Sequence, residues 1–315
     1  MGLDKKFPFL FFASFFLCLF LFPNGLIKED SLIELKNFGP NPGNLKLFYF
    51  DPFEKADTLK HPLVVVLHGC SQGARAAAAL TGWNKIAKEQ GFYVLYPEQK
   101  FFNNPSSCFN WFLKGDIEKG RGECASIMQM ISFVKTKNKI DSTKIFVTGL
   151  SAGAGMTVVM LSTYPNVFNA GAEFAGGPYK AADDVFTSPK AMLGNVHHTA
   201  EEWADLVKKQ NPFYVGKYPR LIIYQGEKDP VVNHRNADEM VLQWCKVSGI
   251  DTIADTTVNG FQNVKDIDRI SYCNSRIING KKTGEEIVIY YKVKNLSHQL
   301  MIDPGPGKKQ GGKDG

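Results

Sequence analysis

The sequence predicts an α/β protein with a mostly parallel central sheet and helices on both faces. Three observations carry that reading. From residue 45 onward, strand-like apolar runs alternate with helical patterns, the order expected of parallel strands joined by crossover helices. Pro62–Leu67 (PLVVVL) is apolar without a break, as a strand covered on both faces requires. Finally, Lys144–Gly149 reads as a strand that runs straight into Gly149-Leu-Ser151-Ala-Gly153 and a helix to Tyr164. The chain has 315 residues, enough for one large domain of this class, and its 22% of charged residues is ordinary for a globular fold.

Taken in order, Leu45–Phe50 is a candidate strand and Pro62–Leu67 the buried one. A helix is expected near Leu80–Gln90, then a strand over Phe92–Tyr96 closed by Pro97. Residues 101–122 read as a polar, aromatic-rich loop. Glu123–Lys137 reads as an amphipathic helix, because Ile127, Met130, Ile131 and Val134 recur at helical spacing. A short strand follows over Asn169–Gly176. Pro178–Lys217 has mixed helical periodicity without a strong strand and is a candidate cap insertion. Leu221–Tyr224 reads as a strand, Asn236–Cys245 as a helix and Glu286–Val293 as a long strand. The Gly- and Lys-rich end, residues 306–315, reads as a flexible tail.

The first 25 residues depart from this pattern. Asp4-Lys5-Lys6 precedes an apolar run from Phe7 to Phe22, and Pro23-Asn-Gly25 follows. That is the layout of a signal peptide or an uncleaved anchor. With the leader cleaved, the expectation is a secreted or periplasmic protein without stable membrane association. The formal net charge is +6, but no Lys/Arg cluster is interleaved with aromatics, so no nucleic-acid partner is expected. Gly307–Lys313 resembles a phosphate-binding G-x4-G-K. Asp314 stands where Ser or Thr is required, and no helix can follow. There are six cysteines, and Cys18 would leave with the leader. Export permits disulfides, with Cys245–Cys273 the preferred pair, Cys70–Cys108 the other and Cys124 a buried thiol. No C-x-x-C spacing occurs, so no metal site and no cofactor are expected.

The chemistry centres on Ser151. A strand, a G-x-S-x-G turn and a helix hold a serine exposed at the top of a sheet, and the Ala152 N–H at the helix start faces a developing oxyanion. A serine nucleophile needs a base, and the base needs an acid to orient it. In this fold class they follow in the order acid, then histidine. His61 and His68 precede Ser151, His197 and His198 precede any suitable acid loop, and His234 lies five residues past Asp229. His298, just after the last long strand, is the candidate base. Asp229, after the strand Leu221–Gly226, is the candidate acid, with Glu227 the runner-up. The second oxyanion donor should come from His68-Gly69-Cys70-Ser71-Gln72, with the Cys70 N–H the preferred group.

On Leu67-His-Gly-Cys-Ser-Gln72, Cys108-Phe-Asn-Trp-Phe112, Arg121-Gly-Glu-Cys-Ala-Ser-Ile127, Gly149-Leu-Ser-Ala-Gly153 and Ser297–Gly305, the chain resembles the poly(3-hydroxybutyrate) depolymerase family of serine esterases. These are α/β-hydrolases related to feruloyl and acetylxylan esterases. The resemblance covers most of residues 45–305 and implies a catalytic domain over 26–305. It implies Ser151, Asp229 and His298 as a triad, Cys70 and Ala152 as oxyanion donors, and Phe109 and Trp111 as aromatics near the acyl pocket. The substrate it implies is a carboxylic ester, a hydroxyalkanoate oligomer or a small acyl ester. Two departures stand out. Asn-Leu-Ser-His298 lacks the glycine the family usually has before this histidine, and no polymer-binding module is expected after the catalytic region, an expectation that favours soluble oligomers. The alternatives are a feruloyl or acetylxylan esterase and a non-catalytic α/β-hydrolase that serves in binding.

Overall fold

The computed structural model describes residues 32–53, 58–278 and 281–301. The expected leader (1–25), the tail (306–315) and the G-x4-G-K stretch lie outside the described residues. Among the described residues, ten strands form one sheet: β1 (Ile33–Leu35), β2 (Lys46–Phe50), β3 (His61–Leu67), β4 (Tyr93–Glu98), β5 (Ile140–Leu150), β6 (Ala170–Phe174), β7 (Arg220–Gly226), β8 (Thr256–Asn259), β9 (Ile267–Ile278) and β10 (Lys281–Val293). Their order is β1-β2-β4-β3-β5-β6-β7-β10-β9-β8. The central six, from β4 to β10, run parallel. Antiparallel strands flank them on both sides. This is the α/β-hydrolase architecture.

The helices are α1 (Ala74–Thr81), α2 (Trp83–Gln90), α3 (Lys114–Ile117), α4 (Gly122–Lys137), α5 (Ala152–Thr163), α6 (Ser188–Met192), α7 (Ala200–Lys208) and α8 (Arg235–Val247). The apolar run of β3 is explained by two cores. Leu63, Val65 and Leu67 point to one face, where Ile127, Met130, Ile131 and Val134 of α4, Val158 of α5 and Trp244 of α8 pack. Val64 and Val66 point to the other face, against Ala74 and Ala77 of α1 and Ala87 of α2. A strand alternates sides at every residue, so burial on both faces demands an unbroken apolar stretch. Helix α5 is buried along its whole length, which is why it carries no polar face.

Several elements differ from the sequence reading. The helix expected near 80–90 is two helices that break at Gly82, where φ is 67°. The loop 101–122 contains the one-turn helix α3. Residues 246–285, to which the sequence reading assigned no element, supply β8 and β9, because β9 pairs along the length of β10 in a long antiparallel ladder. The insertion between β6 and β7 forms α6 and α7, and Trp203 packs there on Ala181, Ala182 and Ala191.

The cysteine pairing also differs. Cys70 and Cys108 form a disulfide. Cys245 is a free, buried thiol, so the preferred Cys245–Cys273 bridge is not made. The reason lies in strand alternation. Tyr272 is the β9 residue that enters the core shared with Cys245, and Cys273, one residue on, points to the opposite face. Cys124 is a buried thiol with its Sγ 2.8 Å from the Glu118 carbonyl.

Candidate active site

Ser151 follows β5 directly and caps α5 with φ 56° and ψ −118°. That conformation is strained for a residue with a Cβ, costing about 1–3 kcal/mol, and it persists only where the surroundings enforce it. Here the Ser151 N–H donates to the Phe174 carbonyl at 2.9 Å, and its own carbonyl accepts from the Gly155 N–H at 3.0 Å. The flanking glycines are sterically required. A Cβ on Gly149 would lie 2.3 Å from the Gly153 oxygen, and one on Gly153 would lie 2.1 Å from the Leu67 oxygen. The turn therefore closes only without side chains at both positions.

Asp229 lies three residues beyond β7 and His298 five beyond β10. Because β5, β7 and β10 run parallel, Ser151, Asp229 and His298 all follow carboxyl ends of strands. His298 Nδ1 lies 2.7 Å from Asp229 Oδ2. The Asp229 carboxylate is buried, and the imidazole is mostly covered. The other carboxylate oxygen, Oδ1, accepts from the Val231 and Val232 N–H groups, each at 2.8 Å. Gln225 Nε2 donates to Oδ2 at 3.3 Å. Main-chain bonds tie the two loops together, from Glu227 N–H to the Val293 carbonyl at 2.9 Å and from Lys228 N–H to the Leu296 carbonyl at 3.1 Å. Glu227, the runner-up acid, instead pairs with Lys292 at 3.0 Å.

The second loop of interest follows β3. The Ser71 N–H donates to the Ser106 carbonyl at 2.7 Å, and Ser71 takes φ 60°. The disulfide anchors Cys70 to Cys108 on the loop after β4. Among the described residues, neither the Cys70 nor the Ala152 amide N–H has an acceptor. Both are therefore available to an anionic oxygen.

The two expected pocket aromatics part company. Phe109 is fully buried in the main core with its ring 4.7 Å from that of His68, so it supports the loop from behind and lines no open pocket. Trp111 is half-buried. It presses on Gly155 of α5, one turn past Ser151, and meets Phe112 edge-on at 5.4 Å.

The sequence reading missed a buried polar chain behind this site. His68 Nε2 accepts from the Gln99 N–H at 3.0 Å, and Gln99 Nε2 donates to the Cys108 carbonyl at 3.0 Å and to Glu123 Oε1. Glu123 Oε2 accepts from the Asn110 N–H at 2.8 Å. Burial lowers the pKa of His68 and pushes the Glu123 carboxyl well above the usual range. Glu173 on β6 is also buried; burial pushes it up to about 8 against the opposing Gly176 N–H bond. The quoted motifs contain His68, Asn110 and Glu123, but nothing in the sequence signals that these groups meet. Among the described residues, no group of three or more His, Cys, Asp or Glu could hold a metal ion. No described helix is long and apolar enough to cross a membrane.

A family model described as esterase PHB depolymerase matches residues 47–263. Over 287 residues the chain is 39% identical to a poly(3-hydroxyalkanoate) depolymerase C of Paucimonas lemoignei, covering 90% of this chain and 66% of that protein. Over 239 residues it is 30% identical to a feruloyl esterase B of Talaromyces funiculosus, covering 74% of this chain and 66% of that one. The chain thus spans just under two thirds of the length of these two relatives. An acetyl xylan esterase structure from Aspergillus awamori superposes with a TM-score of 0.75 at 24% identity, over 85% of this chain and 94% of that one, a likeness of fold. Because the family match runs through more than half of the sequence, the chain belongs to the esterase PHB depolymerase family.

Proposed function

We propose that the chain is a serine esterase that hydrolyses carboxylic esters through an acyl-enzyme. Its proposed substrate class is 3-hydroxybutyrate polyester or its oligomers. The observation that carries the reading is the 2.7 Å bond between His298 Nδ1 and the buried Asp229 carboxylate, at the same edge of the sheet as the strained Ser151. A carboxylate acceptor on Nδ1 keeps the proton there and leaves the lone pair on Nε2. His298 Nε2 then takes the Ser151 proton as Oγ attacks the ester carbonyl. The Cys70 and Ala152 N–H groups receive the oxyanion. The imidazolium gives its proton to the leaving alcohol, and water releases the acyl group by the same steps in reverse roles. Trp111 stands near the acyl chain, and residues 178–217 cap the site within a catalytic domain spanning 26–305.

The family and the 39% identity to a poly(3-hydroxyalkanoate) depolymerase support the polyester reading. A second reading is a feruloyl or acetylxylan esterase. It is supported by the feruloyl esterase B relative and by a 34% identical acetylxylan esterase A of Aspergillus oryzae, of which the match covers 73%. We place the protein outside the cytoplasm, where the Cys70–Cys108 disulfide persists. The mass of the mature N-terminus tests whether the leader is removed.

The decisive assay is hydrolysis of p-nitrophenyl acetate and butyrate, methyl ferulate and 3-hydroxybutyrate oligomers by the wild type and Ser151→Ala. The expected result is turnover by the wild type, fastest on the oligomers, and loss on the order of a thousandfold or more in the variant. Preference for methyl ferulate or the acetate ester moves the substrate class to cell-wall esters. Equal activity of the variant overturns the nucleophile assignment. A wild type that turns over none of the panel and takes up no serine-reactive phosphonate points to the non-catalytic binding role.

A further inference from the structure

We propose that Glu173 is a positioning residue that fixes the Ser151 nucleophile through the turn after β6. The inference rests on the esterase reading of Ser151. Glu173 is the penultimate residue of β6 and is 0% exposed, on the strand face that α5 covers. Its register partners are Gly149 on β5 and Ile223 on β7. The Gly176 N–H can only donate, so Glu173 Oε2, 2.7 Å away, accepts. Burial keeps the carboxyl protonated up to about pH 8. The proton therefore sits on Oε1, which has no hydrogen-bond partner among the described residues.

The consequence runs through two consecutive peptide units. The Ser151 N–H donates to the Phe174 carbonyl at 2.9 Å, and the N–H of that same unit, on Ala175, donates to the Tyr224 carbonyl at 2.9 Å. A planar peptide moves as one plate, so the strained backbone of Ser151 is held by whatever holds that unit. Ala175 itself takes φ 57°, nearly the φ of Ser151 and as uncommon for a residue with a Cβ. Two strained residues thus meet across one hydrogen bond, and each needs enforcement from its surroundings. Glu173 supplies it at Ala175. Its side chain reaches over Phe174 and Ala175 to the N–H of the next peptide unit, on Gly176, and closes the turn. Gly176 is seated against the first turn of α5, where a Cβ would lie 2.8 Å from Ala154 Cβ and 2.6 Å from Glu173 Oε2. One carboxyl therefore fixes the turn from which the nucleophile's main chain is hung.

Three variants separate positioning from mere packing. In Glu173→Gln, the amide oxygen takes the place of Oε2 and the NH2 that of the hydroxyl, so the bond to Gly176 is kept. Glu173→Met and Glu173→Leu fill the site with apolar atoms of two shapes and leave the Gly176 N–H without its acceptor. Each kcat is taken per active site titrated with a serine-reactive phosphonate, so unfolded protein is not counted. Glu173→Gln is expected to retain kcat within about threefold, and the Met and Leu variants to lose about tenfold to a hundredfold in kcat with KM little changed, as a displaced nucleophile requires. A purely structural role would lower the thermal midpoint of the Met and Leu variants without moving kcat per titrated site. Full kcat per site in either apolar variant, equal losses in all three, or a loss confined to KM overturns the proposal. Ser151→Ala, assayed beside them, tells the two levels apart. If it is inactive while all three Glu173 variants are fully active, only the positioning role fails. If it remains active, the esterase reading itself fails.

Discussion

At Ser151 and Asp229, local geometry works against the intrinsic preference of each residue. Ser151 holds a strained backbone because Phe174 and Gly155 bond both of its peptide groups. Asp229 is a buried carboxylate whose desolvation is offset by the His298 ring, two main-chain N–H groups and Gln225. Asn in place of Asp229 tests this directly. An Asn oxygen can keep the Val231 and Val232 bonds, but its NH2 then faces Nδ1, which must become an acceptor. The ring proton moves to Nε2, the atom that takes the Ser151 proton in the proposed mechanism. The expected outcome for Asp229→Asn is a kcat loss on the order of 10³–10⁴ with an unchanged far-UV spectrum. A loss below about tenfold would show that Asp229 does not set the tautomer. The sequence reading preferred Asp229 to Glu227; in the structure Asp229 bonds His298 and Glu227 pairs with Lys292. Chain order speaks to the base and says nothing of the buried His68 imidazole.

Among the elements, the β3–α1 loop and the β4–α4 loop behave as one unit. The Cys70–Cys108 bond joins them across a separation of 38 residues. Closing a loop of that length in the unfolded chain stabilises the fold by about 4 kcal/mol on the chain-entropy account. Cys108→Ser should therefore lower the urea midpoint, with a slope equal to or steeper than the wild type because the uncrosslinked unfolded chain exposes more surface. An unchanged midpoint would mean that the native loops are held by the Gln99–Glu123 network alone. The thiols Cys124 and Cys245 behave differently. Burial pushes both up to about 12. The thiolate is the reactive form, so neither should react with a maleimide in the folded protein at pH 7.5, and both should react in guanidinium. Rapid labelling of either in the native state would contradict the packing of α4 and α8.

For the whole molecule, buried carboxyl groups set how stability varies with pH. Glu173 sits at about 8 in the folded protein, against 4.5 when exposed, because burial outweighs its Gly176 bond. Glu123 is raised in the same direction by burial and by Asp116. For a group raised on folding, the native state keeps its proton after the unfolded chain has lost it. That contribution is intact below about pH 4.5 and declines as pH rises, by about 1.4 kcal/mol per unit, until Glu173 ionises near pH 8. Carboxyls held low, such as Glu286 by Arg269, act in the opposite sense, and their stabilisation is lost only as acid protonates them. Maximum thermal stability is therefore expected on the acid side of neutrality. Glu173→Gln should flatten the fall in Tm between pH 5 and pH 8. A variant curve parallel to the wild type would rule out Glu173 as the source.

The sequence by itself determined the parallel centre of the sheet, its buried strands, the tight serine turn, and that Asp229 and His298 each follow a strand. These are legible because they depend on local pattern: period-two burial, glycines where a Cβ has no room, and chain order. The tertiary structure decided the rest. It set aside Cys245–Cys273, because side-chain direction on β9 depends on register that composition does not encode, and it made Cys70–Cys108, because the loops after the parallel neighbours β3 and β4 meet. It turned residues 256–278 into two added strands, because a strand exists only once a partner edge is present. It put Phe109 in the core beside His68, and it gathered His68, Gln99, Glu123 and Asn110 from distant segments into one buried network. Such groups leave no periodic trace, since each is satisfied by a neighbour that folding alone brings within hydrogen-bonding distance.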